Sequence, residues 1–76
     1  MNYPEIDLHG LTLEEALRDF HLFIGHHMIH DEHNYIVIIT GNGIIKESVI
    51  EELDNLELDY IIQAHNLGKI IVTLKD

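Results

Sequence analysis

The spacing of apolar residues in the first half of the chain predicts a strand followed by a helix. Apolar and polar residues alternate over 3–8, which is typical of a short strand. From Thr12 onward the apolar positions recur with the spacing of one face of an amphipathic helix. Thr12 and Glu15 are spaced as a capping box, so we expect the helix to begin there and to end near Ile29 or His30.

The second half of the chain repeats this order and then ends in two strands. An unbroken apolar run over 35–39 predicts a strand that is covered on both faces. Helical spacing resumes after residue 43 and predicts a second, shorter helix. Two further apolar segments, 58–65 and 69–75, predict strands that a short loop at 66–68 joins as a hairpin.

The order strand, helix, strand, helix, strand, strand predicts the fold class. Right-handed crossovers place both helices on the sheet and leave the final hairpin antiparallel at one side. We therefore expect an α/β protein, more narrowly an α+β two-layer sandwich of βαβαββ order, with two helices packed on a four-stranded mixed sheet. No repeat or linker interrupts residues 1–76, which predicts one domain. The strand at 69–75 is expected at an exposed edge, where it could pair two copies or be protected by its flanking lysines.

Composition and charge limit the function classes. The chain has no cysteine, which excludes a disulfide framework and a thiolate zinc site. No apolar run approaches the roughly 18 residues that a membrane span requires, so we expect a soluble, cytoplasmic protein with no membrane partner. Fourteen acidic residues against four Lys and Arg give a formal net charge of −10. Because nucleic-acid binders are usually basic, any contact with RNA or DNA must be local.

Two polar motifs stand where a predicted strand passes into a helix. Asp7-Leu8-His9-Gly10 follows the first strand and Thr40-Gly41-Asn42-Gly43 follows the second. Ligands of open α/β sheets bind outside the carboxyl ends of the strands, so both motifs can converge on one ligand. Asp7 and His9 share a strand face, where a carboxylate and an imidazole can act as base and acid in phosphodiester cleavage. Asp7 could also hold a divalent ion.

The second motif is an expected anion site. Gly41 and Gly43 allow backbone conformations that are closed to other residues. Amides at the N-terminal end of the second helix would face a phosphate. Lys46 lies one turn into that helix and could add a positive charge. A tight turn with no ligand explains the glycines equally well.

Both motifs resemble those of one family. The segment 6–16 begins Ile-Asp-Leu-His-Gly, continues into the capping box, and resembles the opening of the Smr domain, the small MutS-related domain. Thr40-Gly41-Asn42-Gly43 is similar to that family's second motif, which is usually His-Gly-x-Gly or Thr-Gly-x-Gly. The resemblance implies a βαβαββ fold and nucleic-acid binding. It also implies metal-dependent nicking of DNA or endonucleolytic cleavage of RNA. No cofactor is assigned on this basis, and a divalent ion, Mg²⁺ or Mn²⁺, is the candidate.

The resemblance also assigns site residues. The catalytic pair would be Asp7 and His9, which match the acidic and histidine positions of the opening motif. The expected ligand-binding residues follow the second strand: Thr40, Gly41, Asn42, Gly43 and Lys46. RNA and DNA remain open alternatives as the substrate, as does the oligomeric state.

Three departures from the family pattern favour other hypotheses. The variable position holds a neutral Asn42, the loop at 66–68 is short with only Lys69 beside it, and the overall charge is acidic. A catalytically degenerate interaction module that docks a basic protein is therefore the main alternative. Its acidic surface would consist of Glu47, Glu51, Glu52, Asp54, Glu57 and Asp59. A third hypothesis is a small-anion or nucleotide-binding protein that hydrolyses nothing.

A histidine cluster stands at the end of the first helix. Its members and their acidic neighbours are His26, His27, His30, His33, Asp31 and Glu32. His26 and His30 are one helical turn apart, a spacing that can chelate a metal ion. His27 instead falls on the apolar stripe, and imidazolium charge near a helix C-terminus is favourable without a metal. We therefore predict no metal site here.

Overall fold

Six elements follow one another in the predicted order. The computed structural model describes residues 3–30, 33–63 and 65–74. Its elements are β1 (Glu5–Asp7), α1 (Leu13–Ile29), β2 (Tyr35–Ile39), α2 (Ile44–Asn55), β3 (Asp59–Gln63) and β4 (Asn66–Thr73). The predicted βαβαββ order is thereby confirmed. No helix in the described part of the chain is long and apolar enough to cross a membrane.

The four strands form one mixed sheet in the order β1-β2-β4-β3. β1 is parallel to β2, and β4 is antiparallel to both of its neighbours. Helix α1 connects β1 to β2 and α2 connects β2 to β3, so both crossovers advance in the same direction across the sheet. Right-handed connections then place both helices on one face. The helices also touch each other, and His21 Nε2 lies 2.6 Å from Glu52 Oε1.

The pairing of β4 corrects two predictions. β4 begins at Asn66, so the segment 66–68 belongs to a strand and the hairpin connection lies between Gln63 and Asn66. The segment 69–75 was expected at an exposed edge, but β4 pairs with β2 on one side and β3 on the other. Lys75 lies outside the described residues. A central position satisfies backbone groups on both sides of the strand, and no local sequence pattern encodes it.

The core lies between the helices and one face of the sheet. Its buried members are Leu8, Ala16, Phe20, Ile24, Ile36, Ile38, Ile45, Val49, Leu53, Ile70 and Val72. Ile36 and Ile38 face the helices, and Val37 between them points to the opposite face, because successive residues of a strand alternate. Val37 is nevertheless only 6% exposed, so residues on both faces of this strand are buried, as the unbroken apolar run predicts. Both helices lie on the same side, and the opposite positions of this strand are also apolar.

The predicted capping box fixes the start of α1. The Glu15 amide donates to Thr12 Oγ1 at 3.2 Å, and the Thr12 amide donates to Glu15 Oε1 at 3.0 Å. The Thr12 amide is the largest cause of a lowered Glu15 pKa, and the Thr12 hydroxyl adds to it. These bonds lie at the end of the turn between β1 and α1. That turn includes Gly10, which has a φ of 81°.

A Glu15→Gln variant tests this cap. A carboxyl group whose pKa is lowered by folding stabilises the protein above its unfolded pKa, and that contribution is lost as the pH falls. We expect the wild type to lose more free energy of unfolding between about pH 5 and pH 3 than Glu15→Gln, because the ordinary pKa is 4.5. Urea unfolding at several pH values measures this difference. Parallel curves for the two proteins would contradict it.

Candidate functional site

Parallel pairing brings the two polar motifs to one edge of the sheet. Asp7 is the register partner of Ile39, and the Leu8 amide donates to the Ile39 carbonyl at 2.7 Å. Because both strands end here, His9 and Thr40 leave the sheet side by side. The predicted convergence of the two junctions therefore occurs.

Asp7 and His9 form a hydrogen-bonded pair on this edge. His9 Nδ1 contacts Asp7 Oδ1, and the His9 amide donates to the same oxygen at 3.1 Å. The ring contact is the largest cause of a lowered Asp7 pKa, with the amide second. An ionised carboxylate can only accept, so Nδ1 carries a proton; in the neutral form of the ring, Nε2 is then the acceptor. The side chains of Asp7 and His9 are 50% and 66% exposed, so a ligand can reach both.

The turn after β2, residues 40–43, packs against His9, and we call it the glycine turn. Gly41 has a φ of 73°, in the left-handed region that favours glycine. A Cβ at this position would lie 3.7 Å from the His9 Cβ. Thr40 is buried, and its hydroxyl donates to the Gly41 carbonyl at 2.8 Å. The Thr40 side chain therefore braces the turn from inside.

The first turn of α2 opens toward solvent beside this pair of motifs. Gly43 is the N-cap, and no side chain caps the amides that follow. Asn42, Gly43 and Ile44 are all exposed. Lys46 lies in the same turn and is half-buried. Free amides, the positive end of a helix dipole and one lysine together suit an anion.

Sequence reasoning missed the contribution of Gly68. The Gly68 carbonyl accepts from the Thr40 amide at 2.7 Å, and a Cβ on Gly68 would lie 3.0 Å from the Gly41 Cα. Two backbones thus touch where β4 passes the glycine turn. The available signal was an isolated glycine before a strand-like run, which often marks a close backbone approach.

Metal ligation has limited support in the described residues. No group of three His, Asp or Glu side chains among them lies close enough to hold an ion. Asp7 fits Mg²⁺ or Mn²⁺ in one respect, since Mg²⁺ often binds one or two carboxylates together with substrate phosphates. Both hydrogen bonds from His9 go to a single oxygen of that carboxylate.

The histidine cluster forms a chain of ring contacts. Centroids of His26 and His30 lie 4.5 Å apart in a tilted arrangement, and those of Phe23 and His27 lie 4.6 Å apart. His33 lies 6.3 Å from His27. The acidic neighbours at 31–32 lie outside the described residues. Packing of rings on one another is thus the main feature of this cluster.

The acidic surface of α2 is mostly solvated, as the alternative hypothesis requires. Its exposed members are Glu47, Glu51, Asp54, Glu57 and Asp59. Glu52 instead contacts His21 of α1. The Tyr60 hydroxyl donates to Asp54 Oδ1 at 3.0 Å, and this bond is the main cause of a raised Tyr60 pKa.

This α+β sandwich thus carries an exposed carboxylate–imidazole pair beside a glycine turn and a helix with no side-chain cap. The family model of the Smr domain matches residues 6–75, so the chain belongs to the Smr domain family. The crystal structure of the Smr domain of Thermus thermophilus MutS2 has the same fold, with a TM-score of 0.82 and 20% identity. The match covers 96% of this chain and 99% of that chain. Comparison with curated proteins gives no match.

A Gly68→Ala variant tests the contact between backbones. We expect a loss of about 1–3 kcal/mol in the free energy of unfolding, because the new methyl group would press on the Gly41 backbone. Gly25→Ala is the matched control: a Cβ there meets nothing within 4 Å. Since Gly25 lies inside α1, that change should stabilise the protein by about 0.5–1 kcal/mol. Equal effects of the two substitutions in urea unfolding would contradict the assignment.

Proposed function

We propose that this Smr domain binds nucleic acid and cleaves its phosphodiester backbone at the Asp7–His9 pair. Nucleic-acid binding and endonuclease activity are known among relatives in the family. The observation that carries the proposal is the exposed hydrogen-bonded pair of Asp7 and His9, next to a turn that suits a phosphate. RNA and DNA are both candidate substrates.

Asp7 and His9 have separate roles in the proposed reaction. Asp7 accepts from His9 Nδ1 and so orients the ring, which leaves Nε2 to take the proton of an attacking hydroxyl or water. The attacking oxygen then bonds to phosphorus as the bond from phosphorus to the leaving oxygen breaks. The same imidazole, now protonated, can return the proton to the leaving oxygen.

The second motif supplies the phosphate contacts in this proposal. Amides of Asn42, Gly43 and Ile44 stand at or before the first turn of α2, where the helix dipole favours negative charge. Lys46, in the same first turn, adds a positive charge. A Mg²⁺ or Mn²⁺ ion, if used, would be held by Asp7 and would neutralise charge on the phosphate. The role of Thr40 is to hold the turn in shape, since its hydroxyl is engaged by backbone.

The net negative charge of the chain limits how strongly it can attract the phosphates of a nucleic acid. Lys69 follows Gly68 at the same edge, but its Nζ lies 3.8 Å from Glu5 Oε1. Few cations are therefore available to displace counterions from a nucleic acid, and affinity should depend weakly on salt. Recognition would rest on backbone amides and Lys46 at one phosphate.

Substitution of the pair tests catalysis. We expect Asp7→Ala and His9→Ala each to lower the cleavage rate of labelled single-stranded RNA or supercoiled plasmid by about 100-fold or more. His21→Ala is the matched control, because His21 also contacts a carboxylate, that of Glu52, but on the helical side of the domain. Its cleavage rate should equal that of the wild type, with and without Mg²⁺ or Mn²⁺.

Other results would contradict the proposal. Cleavage that survives both substitutions would come from a different site or a contaminant. An absence of cleavage together with an absence of RNA and DNA retention would favour the acidic interaction module. Binding of small phosphates without hydrolysis would favour the anion-binding hypothesis.

Lys46 offers a test of binding that does not need catalysis. A phosphate contact by one lysine contributes about one unit to the slope of log K against log salt, so Lys46→Ala should reduce that slope by about 1. Arg18→Ala is the control, since Arg18 is an exposed cation on α1 beside Asp19. Fluorescence anisotropy of a labelled oligonucleotide at several salt concentrations measures both slopes. Equal slopes for the two variants would remove Lys46 from the site.

A further inference from the structure

The sheet face opposite the helices carries a band of apolar side chains. Val37 of β2 pairs with Ile71 of β4, and Ile71 pairs with Ile61 of β3, so the three residues form one row across the sheet. Ile39 lies two residues beyond Val37 on the same face. We refer to Val37, Ile39, Ile61 and Ile71 as the apolar band.

The apolar band lies outside the cluster that packs under the helices, and the exposure of its members differs. Val37 is 6% exposed, yet it is not part of the cluster that packs under the helices. Ile61 is 63% exposed. A sheet with one solvated face normally presents polar residues there, so apolar residues at the centre of this face are unusual. Ile39 and Ile71 are half-buried and Ile61 is exposed, so this band keeps apolar surface that a partner could cover.

Aromatic and acidic groups border the apolar band. The rings of Tyr3 and Tyr35 meet edge to face with centroids 5.4 Å apart at one end of β2, and both residues are partly exposed. Glu5 on β1 is the register partner of Val37, and Asp59 begins β3 at the other edge. Lys69, the one lysine that the described strand residues place on this face, is paired with Glu5. Among the described residues, the border therefore has more acidic than basic groups.

We propose that the apolar band docks an amphipathic helix of a partner protein, with lysine or arginine along both sides of its apolar stripe. Apolar side chains would cover Ile39, Ile61 and Ile71, the members of the apolar band that keep exposed surface. Flanking cations would meet Glu5 and Asp59. A helix of about 18 residues is about 27 Å long. The domain measures 29 × 27 × 22 Å, so one such helix spans the sheet. A second copy of the chain is a poorer occupant, because each copy has a formal charge of −10.

A synthetic peptide serves as the probe. It has about 18 residues, with leucines on one helical face and lysines on both flanks, and a scrambled peptide of equal composition controls for charge. Binding to the 76-residue protein is measured by fluorescence anisotropy at physiological salt. We expect the patterned peptide to bind and the scrambled peptide to bind roughly tenfold more weakly or worse.

Two pairs of variants separate apolar contact from charge attraction. Ile61→Glu adds a negative charge, so attraction alone would strengthen binding, whereas loss of apolar contact should weaken it about tenfold. Ile29→Glu is the matched control at an isoleucine that is 79% exposed on α1, and it should bind as the wild type does. Asp59→Lys should weaken binding more than Glu51→Lys, because Glu51 lies on the exposed side of α2.

Each other outcome overturns the proposal. Equal binding of both peptides, or unchanged binding by Ile61→Glu, would show a charge effect without docking. Self-association of the wild type that Ile61→Glu abolishes would assign the face to a second copy instead. Circular dichroism and thermal unfolding check that Ile61→Glu is folded, as expected for an exposed position. None of these readouts depends on cleavage at Asp7 and His9, so the two proposals stand or fall separately.

Discussion

The parallel pairing of β1 with β2 is the constraint on which the candidate site depends. β1 has only three residues, and its place is fixed by backbone bonds such as that from the Leu8 amide to the Ile39 carbonyl. Leu8 is fully buried and anchors the end of the strand in the core. Because this pairing aligns the two strand ends, Asp7 and His9 meet the glycine turn. The two motifs are 33 positions apart in sequence, counted from Asp7 to Thr40. Strand pairing is what brings them together in space.

Strand β4 contacts the inner side of the glycine turn and holds it in place. The Gly68 carbonyl accepts from the Thr40 amide, and the absence of a side chain at Gly68 lets the two backbones touch. The turn is therefore shaped by contacts on its inner side, while its outer side carries the exposed residues Asn42 and Gly43. In our proposal, this division lets a domain with a formal charge of −10 present a local anion site. Backbone amides need no basic side chains to attract a phosphate.

The two faces of the sheet serve different purposes in our proposals. Both helices pack on the even-numbered positions of β2, Ile36 and Ile38, which form the core. The odd-numbered positions, such as Val37, face away from the helices and are apolar as well. An unbroken apolar strand usually has cover on both sides. Here Val37 is buried although both helices lie on the other face, whereas Ile61 on the same face as Val37 is 63% exposed, which is why we assign that face to a partner.

Local patterns in the sequence determined the elements, the cap and the motif positions. The capping box of Thr12 and Glu15, the order of strands and helices, and the Asp7 and Thr40 junctions all follow from spacing within a few residues, and the fold class and family were predicted with them. The tertiary structure decided which strands are neighbours. It put β4 in the centre, brought Gly68 against Gly41, turned Thr40 inward and left Ile61 exposed on the sheet face opposite the helices. Strand pairing uses backbone groups that every residue shares, so side-chain spacing along one segment cannot specify its partners.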